Sequence, residues 1–332
     1  MKAMQLKSFA PIEQKPLKLI NHLTPVPGPE DILIRIKVCG VCHTDLHTVE
    51  GELPQVPLPI IPGHQVVGIV EKTGEKTSRF TDGDRVGVAW LNSTDETCRF
   101  CRNGNENLCE KAGYTGYHVN GGYAEYMVIS EKFAYRIPQA FSDAEASPLL
   151  CAGIIGYRAL KQSRIKPGQR LGLYGFGASA HVAIQVALHW GCDVYVFSRS
   201  QKHRKLAESL GAVWTGISHD NPPVKMDSSI NFTPSGTTVL DGLKSLEKGG
   251  TLALAGIYMT PIPEMDYSKY LYQERTLCSV ANATRQDGEE FLNLAAEIPI
   301  RTITCSFKLE EANTALKLLK ESKINGAALL QI

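Results

Sequence analysis

The run GLYGFGASA at Gly172–Ala180 most limits what this chain can fold into. It fits Gly-x-Gly-x-x-Ala, follows an apolar strand-like stretch and opens an amphipathic helical one. Gly175 and Gly177 permit a tight turn and close approach of backbone to a pyrophosphate, which a helix N-terminus favours electrostatically. Gly175, Phe176, Gly177, Ala178 and Ser179 are therefore the candidate dinucleotide-binding residues of the turn. Beyond it, DVYVFSRS reads as a strand and KHRKLAESLGA as a helix. DSSINFT, TLALAGI and TLCSVA read as later strands. Strand alternating with helix predicts a doubly wound parallel sheet covered on both faces. TLCSVA is expected to be its buried last strand, with a sheet edge shared between subunits as the alternative.

The first part of the chain has another rhythm. DILIRIKVCGV, QVVGIVEKTG, DRVGVAW and YAEYMVI are short β-branched runs between Gly and Pro turns, which favour strands. From Thr284 the pattern leaves the alternating unit, and the apolar end GAALLQI is expected to return to the first domain. The expected organisation is thus a mostly-β domain from residues 1–152 and 284–332, and a dinucleotide-binding domain from 153–283.

At 332 residues there is room for two sizeable cores. The 35 basic and 34 acidic residues nearly cancel, so no positive field exists to collect nucleic acid. No apolar run reaches membrane length, and the first residues lack a signal-peptide core, so a cytoplasmic protein off the membrane is expected. The nine cysteines are an odd number, several at metal-ligand spacing, which fits reduced thiols.

Three of the metal-ligand candidates stand apart. Cys42 in CGVCHTDLH, His64 in PGHQVVG and Cys151 in LLCAGIIGY each sit beside Gly or Pro turns. Two thiolates and one imidazole make a zinc site with one coordination position open, as catalytic zinc requires. Thr44 and His47 follow Cys42 closely. A hydroxyl near the metal can pass a proton outward, and a nearby His can accept it at neutral pH. Asp45 is placed to orient His64 or to cap a helix. Cys98-x-x-Cys101 followed by Cys109 reads as a closed metal lobe.

In these motifs together the chain resembles the zinc-dependent alcohol dehydrogenases of the medium-chain dehydrogenase/reductase family, along essentially its whole length. The resemblance implies a GroES-like, mostly-β catalytic domain plus a Rossmann domain. It implies that Cys42, His64 and Cys151 bind catalytic zinc, and that Thr44 and His47 relay the proton. It also implies a structural zinc at Asp95, Cys98, Cys101 and Cys109, with Asp95 where the family has a fourth Cys. His43 holds a position that is often basic and reaches the pyrophosphate. Trp90 and Leu91 fall where the family contacts substrate. A large indole narrows such a pocket toward small primary or aromatic alcohols and aldehydes, and Tyr114, Thr115 and Tyr117 are candidate neighbours. The short chain resembles the microbial branch, implying a homo-oligomer, a tetramer or dimer.

Three positions depart from the family. Gln65 replaces a Glu beside His64, and Ala327 replaces an Arg that reaches the cofactor phosphates, a loss for which Arg285 is the candidate compensation. At the end of the second alternating strand, Ser198-Arg199-Ser200 replaces the carboxylate that holds an NAD ribose about twenty residues beyond the glycines. With His203 and Arg204 nearby, this favours NADP(H) over NAD(H). Two other readings stay open. A zinc-free quinone or enone reductase of the same fold is opposed by the complete Cys42/His64/Cys151 set. A non-catalytic dinucleotide-binding protein is kept in view by Gln65, Asp95 and Ala327.

Overall fold

The computed structural model describes every residue except Gln55, Pro299 and Asn325. Contacts divide the chain into two compact units: Met1–Cys151 with Thr284–Ala296 and Arg301–Ile332, and Ala152–Ala283 with Glu297–Ile300.

The first unit is organised around the long strand Asp31–Val41. Its β-branched residues are buried almost continuously, because strands flank it and side chains pack on both faces. Among the described residues its sheet has seven strands. The order is Thr304–Lys308, Ala327–Gln331, Asp31–Val41, Val66–Thr73, Arg85–Val88 and Ala134–Arg136, with Tyr126–Ser130 also pairing to Asp31–Val41. The apolar end of the chain is one of these strands. It runs antiparallel to Asp31–Val41, with Ala328 opposite Val41 and Gln331 opposite Val38. Ala328, Leu329 and Leu330 are fully buried there, which is what holds the C-terminal segment to the N-terminal sheet.

The second unit is a parallel six-stranded sheet among the described residues. Its order is Trp214–Gly216, Asp193–Phe197, Arg170–Tyr174, Met226–Asn231, Leu246–Leu254 and Thr276–Ser279. This is the doubly wound order, reversing direction beside Arg170–Tyr174. The helix Ala178–His189 starts at Gly177 and buries Ala180, Ala183, Ile184, Val186 and Ala187. Arg170 ties the first and fourth strands of this unit. Its backbone N–H and Nε donate to Asp227 Oδ2, both at 2.9 Å, and Nη2 donates to Oδ1 at 2.7 Å. The strand Thr276–Ser279 differs from the expected buried strand. It is the sheet edge, with Thr276, Leu277 and Cys278 half-buried and Ser279 exposed, because it pairs on one side only among the described residues.

Candidate active site

Cys42 lies where the strand Asp31–Val41 gives way to the helix His43–Glu50. Asp45 serves both roles open to it. Its Oδ2 accepts the Cys42 backbone N–H at 2.9 Å, capping the helix, while Oδ1 lies 2.9 Å from His64 Nδ1. An ionised carboxylate only accepts, so Nδ1 carries the proton and the Nε2 lone pair is left for a ligand. Nε2 lies 3.3 Å from Cys42 Sγ. His64 is delivered by a turn that needs glycine before it. Gly63 has φ +100°, and a Cβ there would sit 2.4 Å from the Tyr123 ring. Cys151 follows the 3₁₀ turn Ser147–Leu150, and the Ser147 hydroxyl donates to the Gln65 carbonyl at 2.7 Å, joining the two ligand segments.

The donor atoms of Cys42, His64 and Cys151 lie within 4.8 Å of one another. A hydrogen bond from Cys151 lowers the Cys42 pKa well below that of an ordinary thiol, outweighing burial. The same bond, with burial, raises that of Cys151. Burial opposes charge on His64, but Asp45 and Cys42 prevail and raise its pKa. Two crowded sulfurs, one already inclined to be thiolate, and an oriented imidazole fit a zinc ion with a position left open.

The Thr44 side chain helps to lower the Cys42 pKa, and the Thr44 carbonyl accepts the Thr48 hydroxyl at 2.8 Å. His47, half-buried, directs Nδ1 at the Glu52 carboxylate. His43 is exposed, with its ring centroid 6.5 Å from that of His47. Trp90 meets His64 edge-on at 4.9 Å between ring centroids and stacks on Tyr114 at 5.1 Å. Tyr117 joins this wall at 5.4 Å from Trp90, and Thr115 is buried with its backbone N–H on the Trp90 carbonyl.

The second cluster is Asp95, Cys98, Cys101 and Cys109, whose donor atoms also lie within 4.8 Å of one another. Asp95 Oδ1 accepts the backbone N–H groups of Cys98 at 2.9 Å and Thr97 at 3.0 Å, which hold its carboxyl well below the usual range. Burial and the Cys98 sulfur push the Cys101 thiol up to about 12. Beside this lobe stands Arg285, which is not the phosphate ligand considered from sequence. Its Nε donates to Glu106 at 2.9 Å, its Nη1 donates to Glu96 at 3.2 Å, and its guanidinium lies over Phe133. The nearly buried Glu106 claims the cation.

In the second unit Gly175 takes φ +82° and donates its N–H to the Phe197 carbonyl at 2.8 Å. Phe176 and Ala180 are buried, while Gly177 and Ala178 are exposed at the helix start. Ser198 is buried, Arg199 exposed, and the Ser200 hydroxyl accepts the His203 backbone N–H at 3.3 Å. Arg204 is a brace rather than a free donor. Its Nη1 donates to the Ser198 carbonyl at 2.6 Å and to the Arg199 carbonyl at 3.2 Å.

Residues 28–139 match the alcohol dehydrogenase GroES-like domain, and residues 180–297 match the zinc-binding dehydrogenase family. The chain is 45% identical over 337 residues to a probable alcohol dehydrogenase, AdhA, of Mycobacterium tuberculosis, covering 100% of this chain and 97% of that protein. It belongs to the zinc-dependent alcohol dehydrogenases of the medium-chain dehydrogenase/reductase family. Among solved structures, the cobalt- and zinc-bound thermostable alcohol dehydrogenase of Pyrobaculum aerophilum matches with TM-score 0.90 and 26% identity, covering 100% of this chain and 99% of that one. The CAD of Helicobacter pylori complexed with NADP(H) matches with TM-score 0.86 and 25% identity, covering 100% of this chain and 99% of that one.

The chain is therefore an alcohol dehydrogenase working in alcohol/aldehyde redox chemistry, with a GroES-like unit and a parallel Rossmann sheet. No helix among the described residues is long and apolar enough to cross a membrane. For this dehydrogenase the sequence reading missed Glu52. It lies just past the Gly51 helix stop, close enough to His47 in sequence for the pairing to be sought as a local contact.

Proposed function

We propose that the protein is a zinc-dependent alcohol dehydrogenase and aldehyde reductase that prefers NADP(H) and acts on small primary or aromatic alcohols and their aldehydes. The observation that carries it is the convergence of Cys42, His64 and Cys151 with Asp45 behind the imidazole. Zinc held by those three donors would supply the positive charge that acidifies an alcohol hydroxyl and polarises an aldehyde carbonyl. A nicotinamide cofactor held at the Gly175–Ser179 turn would supply the hydride acceptor for oxidation and the hydride donor for reduction.

The chain's own groups do the rest. The Thr44 hydroxyl, beside the Cys42 sulfur, takes the substrate's proton and His47 hands it to solvent. Glu52 orients the His47 ring while the proton passes. In reduction the same groups return the proton. The face of Trp90, with Tyr114 and Tyr117, gives a flat wall that suits aromatic or short substrates. Ser198, Arg199 and Ser200 receive the 2′-phosphate. Arg199 supplies the charge, while Arg204 fixes the carbonyls of that turn. The turn Gly175–Ser179 and His43 attend to the pyrophosphate.

The domain limits proposed are 1–152 with 284–332 for the catalytic domain, and 153–283 for the cofactor domain. Asp95, Cys98, Cys101 and Cys109 are proposed to hold a second, structural zinc. Its four donors leave no position for substrate, and the carboxylate makes it a harder site than four thiolates. A cytoplasmic homo-oligomer, dimer or tetramer, completes the reading. The half-exposed edge strand Thr276–Ser279 is the surface offered for pairing.

The test is NADPH and NADH oxidation with a panel of aldehydes, before and after chelation. Chelator-sensitive turnover that is faster with NADPH is expected. Turnover indifferent to chelation overturns the zinc reading, and faster turnover with NADH overturns the cofactor preference alone.

A further inference from the structure

Tyr123 is fully buried, and among the described residues its hydroxyl has no hydrogen-bond partner. A buried polar group of this kind calls for an explanation. The ring packs against Gly63, immediately before the ligand His64, at a spacing that leaves no room for a Cβ. Its backbone is fixed at both ends, with its N–H on the Pro62 carbonyl at 2.9 Å and its own carbonyl accepting the Met4 N–H at 2.8 Å. The hydroxyl cannot leave the site by moving the chain.

Its charged neighbours are Asp45 and the Cys39 and Cys42 sulfurs. Burial first, and the Asp45 carboxylate next, raise the Tyr123 pKa well above that of an exposed phenol. The group is a protonated donor beside a carboxylate. Asp45 already accepts the Cys42 N–H on Oδ2 and faces His64 Nδ1 with Oδ1. A carboxylate has room for about four such bonds, so acceptor capacity remains. Asp45 is itself buried, and a buried anion is held by the donors around it.

We propose that Tyr123 is a positioning residue for the catalytic metal, its hydroxyl donating a third hydrogen bond to Asp45 in the metal-loaded enzyme and so holding His64 in its ligating orientation. The inference rests on the reading that Cys42, His64 and Cys151 hold the metal. The coupling has a physical direction. When a dication sits on Nε2, the imidazole needs its Nδ1 proton held by a charged, fixed carboxylate, and each donor to that carboxylate keeps it charged and fixed. The Tyr123 hydroxyl touches neither substrate nor metal and acts only through Asp45.

The experiment compares purified wild type, Tyr123→Phe, Asp45→Asn and the double variant, by competition with a chromophoric chelator. Cys42→Ala serves as the reference for any metal held elsewhere. Removing groups directly behind a metal ligand weakens metal binding about 10- to 100-fold, and one position further back the expected loss is about three- to tenfold. The loss should vanish in the Asp45→Asn background. The metal-free Tyr123→Phe protein should unfold at the same temperature as metal-free wild type or higher, because an unpaired hydroxyl has been removed. After cobalt substitution its visible absorption bands should shift.

Equal metal affinity in wild type and Tyr123→Phe overturns the proposal. So does a lowered unfolding temperature in the metal-free variant, which marks a packing role, and so does an undiminished effect in the Asp45→Asn background. Wild type retaining no more metal than Cys42→Ala overturns the metal assignment itself, a result separable from the others.

Discussion

His64 places Nδ1 2.9 Å from Asp45 Oδ1 and Nε2 3.3 Å from Cys42 Sγ. One side of the ring is thereby committed to a carboxylate and the other to the ligand cluster. Asp45 also caps the helix that follows Cys42, so a single side chain fixes two of the three metal-ligand candidates.

Asp45→Asn removes the charge behind the imidazole while keeping an oxygen that can cap the helix. Metal affinity should fall about 10- to 100-fold while the fold persists. Chelator competition with far-ultraviolet circular dichroism on the same samples checks both parts. Unchanged affinity would show that the carboxylate charge does not support the ligand.

Glu106→Ala should destabilise the first unit. It leaves the Arg285 guanidinium without its closest carboxylate, in surroundings where its side chain is only 26% exposed. The expected loss is about 2 to 3 kcal/mol, less than for a fully buried pair because some solvent reaches the cation. Glu96→Ala removes a more exposed partner of the same cation and should cost under about 1 kcal/mol. Urea unfolding of the two variants decides it, and equal losses would count against the burial argument.

The Asp227–Arg170 pair predicts an acid limb in the stability of the second unit. Hydrogen bonds from Arg170 lower the Asp227 pKa below its ordinary 3.8, against the effect of burial. A depressed carboxylate pKa means the folded state binds fewer protons than the unfolded one. The contribution is therefore fully present above the unfolded value and is lost as pH falls through the lower folded value. The destabilisation caused by Asp227→Asn should be largest at neutral pH and shrink below about pH 4. Unfolding midpoints from pH 7 down to 3 provide the measurement, and a gap between the two proteins that ignores pH would sink the assignment.

Arg199 carries the proposed cofactor preference. It is exposed at the turn after Asp193–Phe197, and Arg204 fixes the carbonyl of the same residue. Arg199→Ala should raise the KM for NADPH about tenfold or more, as loss of a charge-assisted phosphate contact does, and leave the KM for NADH within about twofold. A parallel rise in both constants would assign Arg199 to holding the turn rather than to reading the phosphate.

Much of this protein is determined by local sequence. The Gly-x-Gly-x-x-Ala turn and the β-branched runs are legible because each acts over a few residues, through backbone freedom or side-chain periodicity. The metal-ligand candidates are legible for another reason: few residue types bind zinc, so Cys42, His64 and Cys151 stand out before their positions are known. Tertiary structure decided the relations between distant or ambiguous groups. Arg285 could be read as a phosphate ligand until the fold set it against Glu106, far away in sequence. Arg204 looked like a free donor until the turn presented two carbonyls to it. The strand Thr276–Ser279 could be buried or an edge, since its composition suits both, and only the sheet order settled it. Tyr123 gives no sequence signal at all. A phenol's role depends on what its hydroxyl meets, and burial and neighbouring charge are properties of the folded chain.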